Sequence, residues 1–200
     1  MRNRSIVAIC LPVLLLLASC SPRSFLTRRL AADLIVSSNT FRAPQLFWLR
    51  TGMVSNKEYL SPEYLVLQHH GWISGKTAAC PAGVAPAPCW DVVLTPSGVD
   101  TFQPLISSAD LSKQYFSVPA ARRELTAITG ISKHGGEADV DFTWKWVPVN
   151  EVGAALYSTD LQFRSTTSFR DYDNGWRVVE SHARPPETLD DALKNAEPAQ

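Results

Sequence analysis

The stretch 138–146 constrains the fold more than any other, because its alternation is unbroken. Ala138, Val140, Phe142, Trp144 and Trp146 are apolar or aromatic, while Asp139, Asp141, Thr143 and Lys145 are polar. Successive side chains of a strand point to opposite faces, so this pattern describes a strand with one dry and one wet side. Gly135-Gly136 precedes it and offers a two-residue turn out of an earlier strand with Leu125, Ala127 and Ile131 at odd positions. That turn predicts Ile131 opposite Val140, Ala127 opposite Trp144 and Leu125 opposite Trp146, all on one face. A second hairpin is expected from Leu161, Phe163 and Phe169 on one arm and Trp176 and Val178 on the other, with Asn174-Gly175 as a type I′ turn between them. Together these give a four-stranded antiparallel sheet over residues 122–181.

A helix is expected at 24–36, where Leu26, Leu30 and Leu34 recur every four residues with Ala31 and Ile35 beside them. Its apolar stripe needs a surface to cover, and the sheet face bearing Phe142 and Trp144 supplies one. The fold class is therefore α+β, an N-terminal helix packed on the sheet. Residues 37–105 read as a helix-plus-hairpin segment. A short strand spans Gln45 to Arg50, and Ser61-Pro62 opens a helix that runs to about His70 and stops at Gly71. Trp72-Ile73 and a strand from Trp90 to Leu94 follow. Residues 106–121 read as a linker with a helical turn at Ala109 to Lys113. Asn150 caps a short helix, and 182–200 reads as a polar tail with a marginal helix from Leu189 to Ala196.

At the N-terminus, Arg2 and Arg4 lead into an apolar run from Ile6 to Ala18 that ends in Leu17-Ala18-Ser19-Cys20. The run is too short to span a bilayer as a helix, and its basic start and small-residue end are those of a signal peptide. Leu-Ala-Ser-Cys resembles the lipobox of bacterial lipoprotein precursors. The resemblance implies cleavage after residue 19, a lipid such as palmitate on Cys20, and a mature protein held on a membrane through that lipid. Ser21 behind the cysteine points to the outer membrane of a two-membrane envelope, facing the periplasm. The blocks DFTWKWVPVNEVGAAL and SFRDYDNGWRVVE are similar to a sequence family of uncharacterised bacterial lipoproteins, which implies no activity. The segment from Tyr64 to Phe102 resembles the second half of a winged-helix module. A helix on a curved antiparallel sheet resembles the cystatin-like and nuclear-transport-factor-like rolls at the level of architecture.

Removal of residues 1–19 takes Arg2 and Arg4 away and leaves 17 of the 19 basic residues against 19 acidic ones. A nucleic-acid partner does not fit that balance, and Lys76 is the sole basic residue between Gly71 and Phe102. Cys10 leaves with the signal and Cys20 is lipidated, so Cys80 and Cys89 remain. In an oxidising compartment they are expected to pair, and no histidine stands at ligand spacing to make them a metal site.

Candidate chemistry is thin. His69 and His70 point about 100° apart on a helix and cannot both aim at one ion. Asp139 and Asp141 share a strand face, as a carboxylate pair for acid-base work would, but polar residues opposite an apolar row are a solvated face. Asp171, Asp173 and Asn174 suit a tight turn and need no calcium to explain them. No catalytic residue, metal ligand or cofactor is assigned. Two functions remain: a non-enzymatic envelope lipoprotein that binds a partner protein or small apolar ligand, and a periplasmic hydrolase using His134 or His182 with a carboxylate. An enzyme should show a cleft holding a titratable group of shifted pKa, and a binding module an apolar groove.

Overall fold

The computed structural model describes residues 25–81, 87–106, 114–179 and 188–199. The architecture is α+β with two antiparallel sheets and no closed barrel. The element order is α1 (Arg28–Ser37), α2 (Asn39–Arg42), β1 (Gln45–Arg50), β2 (Gly52–Ser55), α3 (Asn56–Tyr59), α4 (Pro62–His69), β3 (Ile73–Ala78), β4 (Cys89–Leu94) and α5 (Pro96–Phe102). A 3₁₀ turn (Gln103–Leu105) leads on, and after it come β5 (Tyr115–His134), β6 (Glu137–Pro148), α6 (Glu151–Leu156), β7 (Gln162–Tyr172), β8 (Gly175–Val178), α7 (Leu189–Lys194) and β9 (Glu197–Pro198). The larger sheet runs β1-β5-β6-β7-β8 with β9 on β7, and the smaller is β2-β4-β3. Every α-helix among the described residues starts on a Ser, Thr or Asn whose side chain accepts a backbone N–H three residues on. These caps satisfy donors that a helix start otherwise strands.

The alternating stretch behaves as its pattern dictates. Ala138, Val140, Phe142 and Trp144 are buried, the first three completely. Beneath them lie Leu26, Ala31, Ile35, Phe41, Phe169, Trp176 and Leu189, which form one core with them. The helical stripe is rotated from expectation. Helix α1 starts after Thr27, Leu26 is buried just ahead of it, and Ala31 and Ile35 face the core while Leu30 and Leu34 flank it.

The Gly135-Gly136 turn is as expected, with φ of 62° at Gly135 and Ile131 opposite Val140. Beyond that the register departs. Two β-bulges, one between Leu125 and Ala127 and one between Ile128 and Gly130, each insert a residue in β5. Trp144 therefore meets Leu125, Trp146 meets Arg123, and Ala127 is exposed opposite Thr143. A bulge opposes two residues to one, so a spacing of three keeps Leu125, Ile128 and Ile131 on the core side. In the second hairpin the turn residues are Asp173 and Asn174, with Tyr172 opposite Gly175. Gly175 follows them at φ of 108°, where a type I turn with a G1 bulge places its left-handed residue.

Three segment assignments change. The large sheet has six strands where four were expected, because β1 joins β5 and β9 joins β7. The stretch 106–121, expected as a linker, contains the first seven residues of β5, and Tyr115 to Ala121 pair with β1; the turn at Ala109 to Lys113 lies outside the described residues. The expected polar tail carries α7, whose Leu189, Ala192 and Leu193 are buried. That helix is docked by a relay in which the Trp144 indole N–H donates to Ser165 Oγ (3.0 Å) and Ser165 donates to the Ala192 carbonyl (2.8 Å).

A second core joins the smaller sheet to the first half of β5, with Leu49, Val54, Leu67, Ile73, Val92, Phe102, Phe116 and Val118 at its centre. Helix α6 enters it so closely that a Cβ at Gly153 would overlap the carbonyl oxygen of Ala120, which is why this helix carries glycine there. At the end of the small hairpin Cys80 and Cys89 form a disulfide, S–S 2.07 Å and Cα–Cα 5.1 Å apart.

Trp144→Ala should cost on the order of 3–5 kcal/mol in denaturant unfolding, since it empties the largest fully buried site and breaks the relay to α7. Lys145→Ala, on the opposite face, should stay within about 0.5–1 kcal/mol. Equal losses would contradict this assignment of faces. Replacement of Cys80 and Cys89 by serine should cost roughly 2–3 kcal/mol, the chain-entropy value for so short a loop. An unchanged midpoint would show that the pairing contributes nothing.

Candidate functional site

The outer face of β6 and its neighbours is a ladder of mutually satisfied polar side chains. Glu137 holds Arg170 at 2.8 Å, Asp139 accepts from Ser168 Oγ at 2.8 Å, and Asp141 accepts from Thr166 Oγ1 at 2.6 Å. Further along, Thr143 and Thr126 share a hydrogen bond and Lys145 stands 3.4 Å from Glu124. Each pair sits on directly opposed or adjacent strands, where cross-strand partners stabilise a sheet. Asp139 and Asp141 are thus each engaged by a hydroxyl across the strand, as a solvated face requires.

One grouping imitates a catalytic triad. Ser132 Oγ lies 3.2 Å from His134 Nε2, and Asp139 Oδ2 lies 3.6 Å from the same nitrogen. A triad needs the nucleophile on one ring nitrogen and the carboxylate on the other, so that the acid fixes the tautomer that accepts the serine proton. Here both partners compete for Nε2. Ser132 and His134 are also exposed, at the end of a hairpin, and neither lines the two clefts described below. His182, the other histidine expected to act as a base, lies outside the described residues, as does Cys20.

His69 and His70 are exposed, with rings 5.9 Å apart and perpendicular, and His70 stacks on Trp72 at 4.5 Å. Among the described residues no three His, Cys, Asp or Glu side chains cluster to hold a metal ion. Asp173 is a residue of the β7–β8 turn, and Asp171 lies at the end of β7 opposite Trp176. The Cys80–Cys89 disulfide lies away from both clefts described next.

Two clefts are lined by described residues. The shallower, about 340 Å³, lies between β4 and the start of β5 and is lined by Thr51, Gly52, Asp91, Val92, Gln114 and Phe116, among others. The other, about 440 Å³, opens between α2 and the middle of β5. Val36, Phe41 and Leu125 give it apolar walls, and Arg42, Arg122, Arg123 and Glu124 supply its charges.

Arg123 is the unusual member. Its guanidinium lies over the rings of Trp146 and Trp144, 4.9 and 5.7 Å from their centroids. Its Nη1 donates to the carbonyls of Thr40 (3.0 Å) and Ala43 (3.3 Å), the carbonyls that α2 leaves open at its C-terminal end. The buried Nε has no hydrogen-bond acceptor, and no carboxylate among the described residues comes within ion-pair distance of this side chain. Burial pushes its pKa below the ordinary arginine value, with Asp190 acting weakly the other way. Arginine stays protonated through such shifts, so the group is a half-buried cation held by carbonyls and aromatic faces alone. Tyr64, which is buried, and Tyr157, which is half-buried, also have pKa values raised chiefly by burial. Tyr64 bridges the backbone of Arg50, donating to its carbonyl and accepting from its N–H, and Tyr157 packs against the second core. Neither lines either cleft.

Sequence reasoning missed Arg123, because it read the strand only for its apolar positions. The signal was present as a charged residue within an inward-facing series. Comparison with models of known protein families, with curated proteins and with solved structures finds no match to this chain.

Proposed function

We propose that the protein is a lipid-anchored envelope lipoprotein, tethered through Cys20 to the outer membrane and facing the periplasm, and that it works as a non-enzymatic binding module. The observation that carries the binding reading is the cleft beside α2. It combines apolar walls from Val36, Phe41 and Leu125 with the guanidinium-bearing residues Arg42, Arg122 and Arg123. The anchoring reading rests on Leu17-Ala18-Ser19-Cys20 behind a short apolar run. A helix laid across an antiparallel sheet resembles the cystatin-like and nuclear-transport-factor-like rolls, and the α4, β3, β4 order resembles the second half of a winged-helix module. Fold analogy of this kind carries no activity with it.

Metabolic labelling with radioactive palmitate tests the anchor. The wild-type chain should incorporate label and sediment with membranes, and Cys20→Ser should lose the label and appear in the soluble periplasmic fraction. An unlabelled wild-type protein whose N-terminus lies downstream of Cys20 would overturn the reading.

A further inference from the structure

We infer that the cleft between α2 and β5 binds an amphipathic anion with a single hydrocarbon chain, its charged head at Arg123 and its chain against Val36, Phe41 and Leu125. This inference deepens the binding-module reading and rests on it. Three features support the assignment. The cleft carries three guanidinium groups against one carboxylate, and Glu124 is itself engaged by Arg122 at 3.8 Å and by Lys145 at 3.4 Å. The local excess is therefore cationic, although the mature chain as a whole leans acidic. Arg123 is a half-buried cation with no carboxylate among the described residues within ion-pair distance, Asp190 acting on it only from farther off, and an anion that reaches it gains a charge-assisted bond that water screens less than at the open surface. The remaining lining is apolar, and about 440 Å³ lies in the range of small-molecule sites.

The Trp144 and Trp146 rings beneath the guanidinium hold it in place, so the head group would meet a donor whose orientation is already fixed. Arg42 and Arg122 are exposed at the rim and would attract the anion from solution without being buried by it. A neutral chain of the same length would gain the walls and leave the cation unpaired. A cationic one would be repelled.

The experiment uses the full mature chain with Cys20→Ser, kept free of detergent, and titrates it below micelle-forming concentrations with decanoate, decyl phosphate, decanol and decyltrimethylammonium, by calorimetry and tryptophan fluorescence. At least one of the two anions should bind roughly tenfold or more tightly than decanol, the factor expected from one charge-assisted hydrogen bond, and the tighter anion identifies the head group. The cation should not compete. Arg123→Met keeps a stem over the tryptophans, and it should reduce anion affinity by roughly tenfold or more beyond any loss it causes in decanol affinity, since both ligands share the wall that Arg123 fastens but only the anion uses its charge. If that variant does not fold, as judged by circular dichroism, the rim pair Arg42→Gln with Arg122→Gln should weaken the anion severalfold and flatten its salt dependence. Equal binding of anion and decanol, no binding of any amphiphile, or an anion affinity unchanged in the folded variants would overturn the inference. Palmitate labelling of Cys20 is read separately, so the anchor can stand while the ligand assignment falls, and the reverse.

Discussion

Strand β5 is the constraint on which both halves of the molecule depend. Its first residues pair with β1 and place Phe116, Val118 and Ala120 in one core, and its later residues pair with β6 and place Leu125, Ile128 and Ile131 against the other. Ala121 has partners on both sides, Gln45 and Pro148. A straight strand of 20 residues could not serve two cores, since its side chains would alternate rigidly along one twist. The register shift that leaves Ala120 unpaired between Pro119 and Ala121 falls between the residues of one core and those of the other, and the bulges at Thr126 and Thr129 keep Leu125, Ile128 and Ile131 on one side. Gly130 falls just after the second bulge, where a Cβ would run into the Asp141 carboxylate, so the distortion and the absent side chain belong together.

Charge is sorted by face. On the outer side acids meet hydroxyls or bases across the strands, so each carboxylate is used close to where the sheet places it. Such exposed pairs contribute little each, on the order of 0–1 kcal/mol, and their value is a face that has no unmet demand. On the inner side Arg123 has no such partner. The aromatic platform and two carbonyls stand in its place.

The sheet was legible where local chemistry decided it. Alternation over 138–146 predicted the buried row, and Gly135-Gly136 predicted the turn and the Ile131–Val140 pair. The bulges were not legible, because a spacing of three along β5 looks like lost periodicity until the partner strand shows that a residue has been inserted. The linker reading of 106–121 failed for a related reason: Phe116, Val118 and Ala120 do alternate, but the run is short and sits at the end of a stretch of mixed composition. Pro119 is tolerated opposite Leu46, beside the register shift at the start of β1. The tail failed because a six-residue helix has no stability of its own; the Trp144–Ser165–Ala192 relay and the burial of Leu189 and Leu193 stabilise it. Of the candidate site, Leu125 was read as an inward-facing residue, while Phe41 was not singled out and the charge of Arg123 within the inward-facing series was passed over.

Helix α2 ties these points together. It has four residues, far fewer than a helix needs to persist alone, so its position is set by what it touches. Phe41 is buried in the core, Ser38 caps its start through the Phe41 N–H, and Arg123 takes the carbonyls near its end. One wall of the cleft is thus fastened by the same guanidinium that gives the cleft its charge. An anion arriving at Arg123 would polarise the hydrogen bonds to Thr40 and Ala43 without displacing them, because an arginine has five N–H groups and Nη1 alone serves both carbonyls. Binding and the placement of α2 would then reinforce each other, so a ligand should stiffen this corner of the fold rather than open it.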